Sequence, residues 1–269
     1  MSRPAVAADL LRAHARTLKM PGLARSFEAL ARQAREERWA FEEYLYETLG
    51  AEVTSRAASA VRLRLAAARF PELKPLDTFD FTAAEGLNAP QILELARGEW
   101  LTRAENVLLV GPIGTGKTHL AIALDIEAAR QRRHVAFWRA ADLVRTLLEA
   151  RDARELTRLQ RRLQRVELLV LDELGFIPFD RAGGELLFNL LTARYERRSV
   201  LVTSNLAFSE WPQIFGGDEK LTTALLDRLA DRATVISTRG RSFRLRRRRS
   251  RDTPSAGPPD PEMQKDDDH

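Results

Sequence analysis

The feature that most narrows what this chain can fold into is the octapeptide Gly111-Pro112-Ile113-Gly114-Thr115-Gly116-Lys117-Thr118. It matches the spacing G-x-x-x-x-G-K-[ST] at every fixed position. Glycines permit a tight turn that aims successive backbone N–H groups at a phosphate, and Gly116 lets the backbone approach with no side chain between. Lys117 places a point charge on the β- and γ-phosphates, and Thr118 offers a hydroxyl to Mg²⁺. The motif needs a strand before it and a helix N-terminus after it. Here the apolar run 107–110 precedes it and a helical pattern over 119–130 follows. The expected ligand is ATP with Mg²⁺, cradled by residues 111–118 and the helix start at His119.

Around this motif, short apolar runs alternate with helical stretches. The strand candidates are 107–110, 135–138, 168–171, 200–203 and 235–237. That alternation predicts an α/β domain with a mainly parallel sheet flanked by helices, over residues 77–250. Leu168-Leu169-Val170-Leu171 is apolar at every position, as a strand covered on both faces should be.

Residues 1–76 carry a different periodicity. Leu23, Phe27, Leu30 and Ala34 form one helical stripe, Phe41, Tyr44, Leu45 and Leu49 a second, and Val61, Leu65 and Ala68 a third. A small N-terminal helical domain is expected, with Pro71 and Pro75 marking a linker. Residues 251–269 are Pro-rich, poor in apolar side chains and end in Asp266-Asp267-Asp268-His269, which predicts a disordered tail.

Composition removes several function classes. The 269 residues include no cysteine, which excludes disulfides, thiolate metal sites and cysteine nucleophiles. Four scattered histidines argue against a zinc site. No apolar run approaches the roughly 20 residues that span a bilayer, and the N-terminus lacks a secretory apolar stretch. A cytoplasmic protein with no membrane partner is expected. The net charge of +5 permits nucleic-acid binding without requiring it, and arginines concentrate in residues 239–251.

Further candidates lie downstream of the phosphate loop. Asp172-Glu173 follows the buried run 168–171: Asp172 can hold Mg²⁺, and Glu173 can polarise the attacking water as general base. In Thr203-Ser204-Asn205 a polar side chain can sit between those carboxylates and the γ-phosphate, although the same residues also suit a strand-ending turn. Arg228, in Leu225-Leu226-Asp227-Arg228-Leu229, can reach a neighbouring subunit's γ-phosphate or stand as an exposed helix arginine. Arg244 is a further nucleotide-sensing candidate, or a member of the basic tail. Arg154, Arg158, Arg161, Arg162 and Arg165 recur at helical spacing, which suits either a DNA phosphate backbone or a solvated helix face.

Taken together these motifs resemble the IstB-like family, ATP-binding helper proteins of certain bacterial transposons, which is similar to the DnaC and DnaA branch of AAA+ ATPases. The resemblance rests on residues 111–118, 171–178, 185–189, 194–199, 203–211, 224–229 and 240–244, and covers roughly residues 10–245. It departs where Thr203-Ser204-Asn205-Leu206 stands for a common Thr-Thr-Asn-Leu, where Asp231 stands for a frequent His, and where Phe243 stands for Tyr before Arg244. The resemblance implies a AAA+ P-loop fold and self-assembly on duplex DNA with ATP at subunit interfaces. It also implies presentation of target DNA to a partner transposase. It makes Arg228 a trans-acting arginine finger, Asn205 a first sensor and Arg244 a second, and sets the basic helix near a DNA channel. A replicative-helicase loader of the DnaC type shares the same core motifs and is the competing reading.

Overall fold

The structure is a computed structural model and describes residues 3–240, with side chains from residue 7. Arg244, the arginine run 246–249 and the tail 251–269 lie outside the described residues. Three helices come first: α1 (Arg3–Thr17), α2 (Pro21–Glu37) and α3 (Phe41–Ala68). Two short helices follow, α4 (Ala89–Ala96) and α5 (Glu99–Thr102). Then the α/β part alternates β1 (Asn106–Val110), α6 (Lys117–Arg130), β2 (Val135–Arg139), α7 (Ala140–Asp152), α8 (Leu156–Gln164), β3 (Leu168–Leu174), α9 (Arg181–Thr192), β4 (Ser199–Ser204), α10 (Glu219–Ala230) and β5 (Ala233–Ser237).

The five strands form one sheet in the order β2-β3-β4-β1-β5, with every pairing parallel. Each predicted strand is present. Successive strand residues point to opposite faces, so each strand feeds two cores. Val107, Leu109, Val170 and Leu201 face a layer built from α4, α6 and the end of α3. Leu108, Leu169, Leu171 and Val202 face the layer of α7, α8, α9 and α10. Leu108, Leu109, Leu169, Val170, Leu171 and Leu201 are fully buried, and each such side chain contributes about 1.5–3 kcal/mol on removal from water. That double covering is why these strands read as unbroken apolar runs.

The second and third N-terminal stripes belong to one helix. α3 runs 28 residues, about 42 Å, without a break. Its first half packs on α2, and its end packs on α6 and β2, where Phe70 meets Phe137 edge-on at 6.1 Å. The buried Glu52 of α3 accepts from Gly22 N at 2.7 Å and Leu23 N at 3.1 Å, supplying the carboxylate that the amino end of α2 lacks in its own sequence. Burial alone would raise the Glu52 carboxyl. Arg56 and the two amides outweigh burial and hold it below the usual range.

Beyond Arg69 the linker does not hang free. A 3₁₀ turn at Leu76–Thr78 lays it over the start of α6. His119 Nε2 lies 3.2 Å from the Pro75 carbonyl oxygen, and its ring meets Phe79 edge-on at 5.0 Å.

Candidate nucleotide site

β1 lies between β4 and β5, while the next strand in the chain, β2, sits at the far edge of the sheet. The crevice outside the carboxyl ends of the central strands is where such sheets bind ligands. The loop 111–116 leaves β1 there and feeds α6. It can turn so tightly because Gly111, Gly114 and Gly116 adopt φ of +144°, +83° and +97°. Two of these glycines are also sterically required. A Cβ at Gly111 would run into the Thr238 carbonyl, and one at Gly116 would lie 2.9 Å from the Phe79 ring.

Thr238, just after β5, fastens the loop. Its backbone N–H donates to the Val110 carbonyl at 2.8 Å, and its hydroxyl lies 2.6 Å from that of the buried Thr115. Lys117 is buried, and its ammonium donates to the Gly111 and Pro112 carbonyls at 2.6 and 2.7 Å. The charge is therefore held inside the loop's own curve, where a phosphate would be surrounded. Pro112 and the exposed Ile113 form the loop's outer rim. His119 sits in the first turn of α6 against the linker, and burial lowers its imidazole pKa from the usual value against the opposing pull of the Pro75 carbonyl.

The structure brings Thr118 and Asp172 together. Thr118 Oγ1 donates to Asp172 Oδ1 at 2.9 Å. The same carboxylate oxygen accepts from Thr203 Oγ1 at 2.6 Å, and Thr203 Oγ1 in turn accepts from Glu173 N at 2.9 Å. β4 runs between β1 and β3, so its last residues supply this bridge. Asp172 and Thr203 are almost wholly buried, whereas Glu173 projects outward.

Glu173 has φ of +59°, and the β3–β4 register is irregular between Leu171 and Leu174. A glutamate in the left-handed region is uncommon and costs on the order of 1 kcal/mol or more. At this irregularity the Glu173 side chain is exposed, while Asp172 and Leu174 on either side of it are buried. Arg139, last in β2, comes within 3.9 Å of its carboxylate.

Asn205 stands two residues beyond Thr203 and is half-buried. Among the described residues its side chain has no hydrogen-bond partner. Thr203 is the member of the 203–205 trio that contacts both carboxylate-bearing residues. Sequence reasoning missed Thr203 as the bridging residue, gave Phe79 only a place in the linker's family resemblance, and missed Thr238. A short side chain at the end of the strand between Lys117 and Asp172 was the available signal for the first. Nothing in the sequence placed Phe79 or Thr238 against the phosphate loop.

Arg228 lies elsewhere. With Asn106, Tyr195 and Val200 it lines a small cavity at the amino ends of β1 and β4, at the opposite end of the sheet from the loop. Asn106 fixes that corner: its Nδ2 donates to the Leu229 carbonyl at 3.1 Å, and its Oδ1 accepts from Val200 N at 2.9 Å. Five β1 residues rise about 16 Å, so Arg228 is far from its own chain's loop.

The basic segment is organised by a helix shorter than the arginine run. Arg154 precedes α8 with φ of +59°, and Arg165 caps its end, so α8 itself carries only Arg158, Arg161 and Arg162. All five arginines are exposed, while Leu159 and Leu163 on the other side of α8 are buried. The buried Arg194 holds this corner, donating to the carbonyls of Leu163, Val166 and Ser199 at 2.8, 3.0 and 2.8 Å. Burial lowers its pKa to about 10, so it remains charged at neutral pH.

Among the described residues no helix is long and apolar enough to cross a membrane, and no group of three or more His, Cys, Asp or Glu could hold a metal ion.

Comparison with known proteins agrees with this geometry. The sequence profile of the family described as IstB-like ATP binding protein matches residues 13–251. The chain is 39% identical over 232 residues to the ATP-binding protein of insertion sequence IS21 from Pseudomonas aeruginosa, covering 86% of this chain and 87% of that one. It is 35% identical over 232 residues to the corresponding protein of IS5376 from Geobacillus stearothermophilus, covering 86% and 92%. Among solved structures, the DnaC helicase loader superposes with a TM-score of 0.51 at 19% identity, over 62% of this chain and 97% of that one. The replication initiator DnaA bound to AMPPCP and single-stranded DNA superposes with a TM-score of 0.53 at 18% identity, over 66% and 54%. These two likenesses bear on the fold. On the matched family, the parallel sheet and the nucleotide loop, this chain belongs to the IstB-like ATP-binding family and is a P-loop ATPase with a AAA+ fold.

Proposed function

We propose that this ATPase assembles with ATP on duplex DNA and directs or activates a partner transposase. The observation that carries the reading is the placement of Arg228 at the end of the sheet opposite the phosphate loop. One chain cannot bring both to one nucleotide, whereas a neighbouring copy can. ATP then joins subunits, because its γ-phosphate meets Lys117 of one and Arg228 of the next. Hydrolysis removes that bridge. The names of the relatives, which belong to insertion sequences, support transposition as the setting.

Within the site, the loop amides from Gly111 to Thr118 and the N-terminus of α6 surround the phosphates. Lys117 exchanges its loop carbonyls for phosphate oxygens. Thr118 and Asp172 would hold Mg²⁺: their oxygens already face each other at 2.9 Å, and a hydroxyl beside a carboxylate suits a hard cation that keeps several waters. When bound, the ion supplies charge neutralisation on the β- and γ-phosphates. Glu173 takes the proton from the attacking water, and Asn205 orients that water from the neighbouring strand end. Arg244 is assigned to nucleotide sensing on the family resemblance alone. The exposed arginines 158, 161 and 162 of α8, with Arg154 and Arg165 at its two ends, present positive charge to a DNA backbone.

The test is duplex-DNA binding with ATP, ADP or no nucleotide while particle size is recorded. ATP-dependent assembly is expected, with log affinity falling against log salt by about 0.9 per phosphate contacted. Arg228→Ala should abolish the ATP-dependent size change and most turnover. Unchanged turnover and size in that variant would remove the bridging role. Failure to bind duplex in any nucleotide state would overturn the DNA reading in favour of a helicase-loading role.

A further inference from the structure

Phe188 enters the family resemblance only as one letter of the segment 185–189, and the ATPase cycle above gives it no task. In the structure it is the residue beneath Arg228. The guanidinium carbon lies 5.4 Å from the Phe188 ring centroid, within the range of a cation–π contact. Phe188 is on α9, and its ring is partly buried against the core beneath that helix, so its orientation is set by packing. Arg228 reaches it from α10 while donating through Nη1 to the Ala224 carbonyl one turn earlier, at 2.7 Å. Its other flank borders an open groove with Glu219, Lys220, Thr223, Ala224 and Asp227, none of whose carboxylates pairs with it.

The partners of Arg228 share one property: none is charged. Among the described residues no carboxylate lies within 4.0 Å of its nitrogens, although Asp227 adjoins it and Asp231 stands three residues on. Asp231 instead accepts a hydrogen bond from the Tyr195 hydroxyl at 2.6 Å. An ion pair on Arg228 would have to break before the guanidinium could meet a phosphate, and that cost would come out of the transition state. A ring face competes weakly. It restricts the long side chain while leaving the positive charge uncompensated.

We infer that Phe188 is a positioning residue for Arg228, a fixed aromatic shelf that keeps the guanidinium oriented toward the neighbouring subunit's nucleotide without neutralising it. The inference rests on the trans-acting role proposed for Arg228. Phe188 acts through the subunit that donates the arginine, never through the one that binds the hydrolysed ATP. That direction separates it from an ordinary packing residue.

The experiment uses mixed assemblies of the full chain with ATP and DNA. Wild-type subunits are mixed with an excess of Glu173→Gln subunits, which retain an intact arginine and contribute little turnover. ATP turnover is read per wild-type subunit. Replacing the excess partner by Glu173→Gln/Phe188→Leu should lower kcat at the wild-type sites about 3- to 30-fold with little change in KM. Glu173→Gln/Phe188→Tyr, which keeps the ring face, should restore it. Glu173→Gln/Arg228→Ala serves as the reference for a missing arginine. If the Arg228→Ala partner depresses turnover and the Phe188→Leu partner does not, Phe188 is only a packing residue and the inference fails alone. If neither partner depresses turnover, the trans role of Arg228 fails, and the inference with it. Equal loss with Leu and Tyr at 188 would also overturn the aromatic shelf.

Discussion

Replacing Thr203 by valine removes one hydroxyl from a nearly isosteric side chain and tests how the two carboxylate-bearing residues are held. Thr203 is 1% exposed, donates to Asp172 Oδ1 at 2.6 Å and accepts from Glu173 N at 2.9 Å. A hydrogen bond to a charged group contributes about 1.5–3 kcal/mol, and a buried N–H left without a partner costs about 1–3 kcal/mol. The two losses share one atom and are not additive, so Thr203→Val should destabilise the fold by about 2–4 kcal/mol. For a chain of this size that lowers Tm by roughly 5–15 °C. The left-handed backbone at Glu173 loses one of its ties, so its carboxylate is less well placed for the general-base role proposed above. We expect kcat to fall at least about tenfold with KM little changed, since the role proposed for Glu173 is exercised in the transition state. Thr203→Ser retains the hydroxyl and should stay near wild type in turnover. Thermal unfolding and steady-state ATP hydrolysis read both quantities. Wild-type stability and kcat in Thr203→Val, or equal losses in the Val and Ser variants, would refute the bridging role.

Two other sites give separate tests. Asp125, in the middle of α6, is fully buried, and among the described residues neither carboxylate oxygen has a hydrogen-bond partner; burial pushes its pKa well above the usual value. The folded chain therefore keeps a proton that the unfolded chain releases above its ordinary pKa of 3.8, so this group's contribution to stability falls as pH rises through that window. Asp125→Asn should flatten that fall and gain about 1–3 kcal/mol over wild type at neutral pH, read from urea midpoints at about pH 5 and pH 8. Parallel shifts in the two proteins would contradict it. Gly116→Ala sets a Cβ 2.9 Å from the Phe79 ring at φ of +97°. It should cost about 1–3 kcal/mol and weaken ATP binding, and unchanged nucleotide titration would show that the linker yields freely.

The sequence by itself determined the chemistry and most of the layers. The octapeptide at 111–118 carries its own local requirements for glycine, lysine and threonine, so spacing suffices to read it. Apolar runs such as 168–171 reveal strands covered on both faces, because burial imposes that pattern whatever the neighbouring strands are. Strand order is different in kind. It depends on which crossovers bring β4 between β1 and β3, and only that placement makes Thr203 rather than Asn205 the side chain bridging Asp172 and Glu173. Phe79 and Thr238 touch the loop from 30 or more residues away in either direction, and Phe188 meets Arg228 across two helices. No local period encodes such contacts. The basic segment shows the same division: its spacing is sequence-local, but α8 is cut to nine residues where Arg154 turns left-handed and Arg165 caps the end. Tertiary packing by Leu159, Leu163 and the buried Arg194 decides which side of that helix faces water, because charged side chains remain where they can be hydrated and leucines do not.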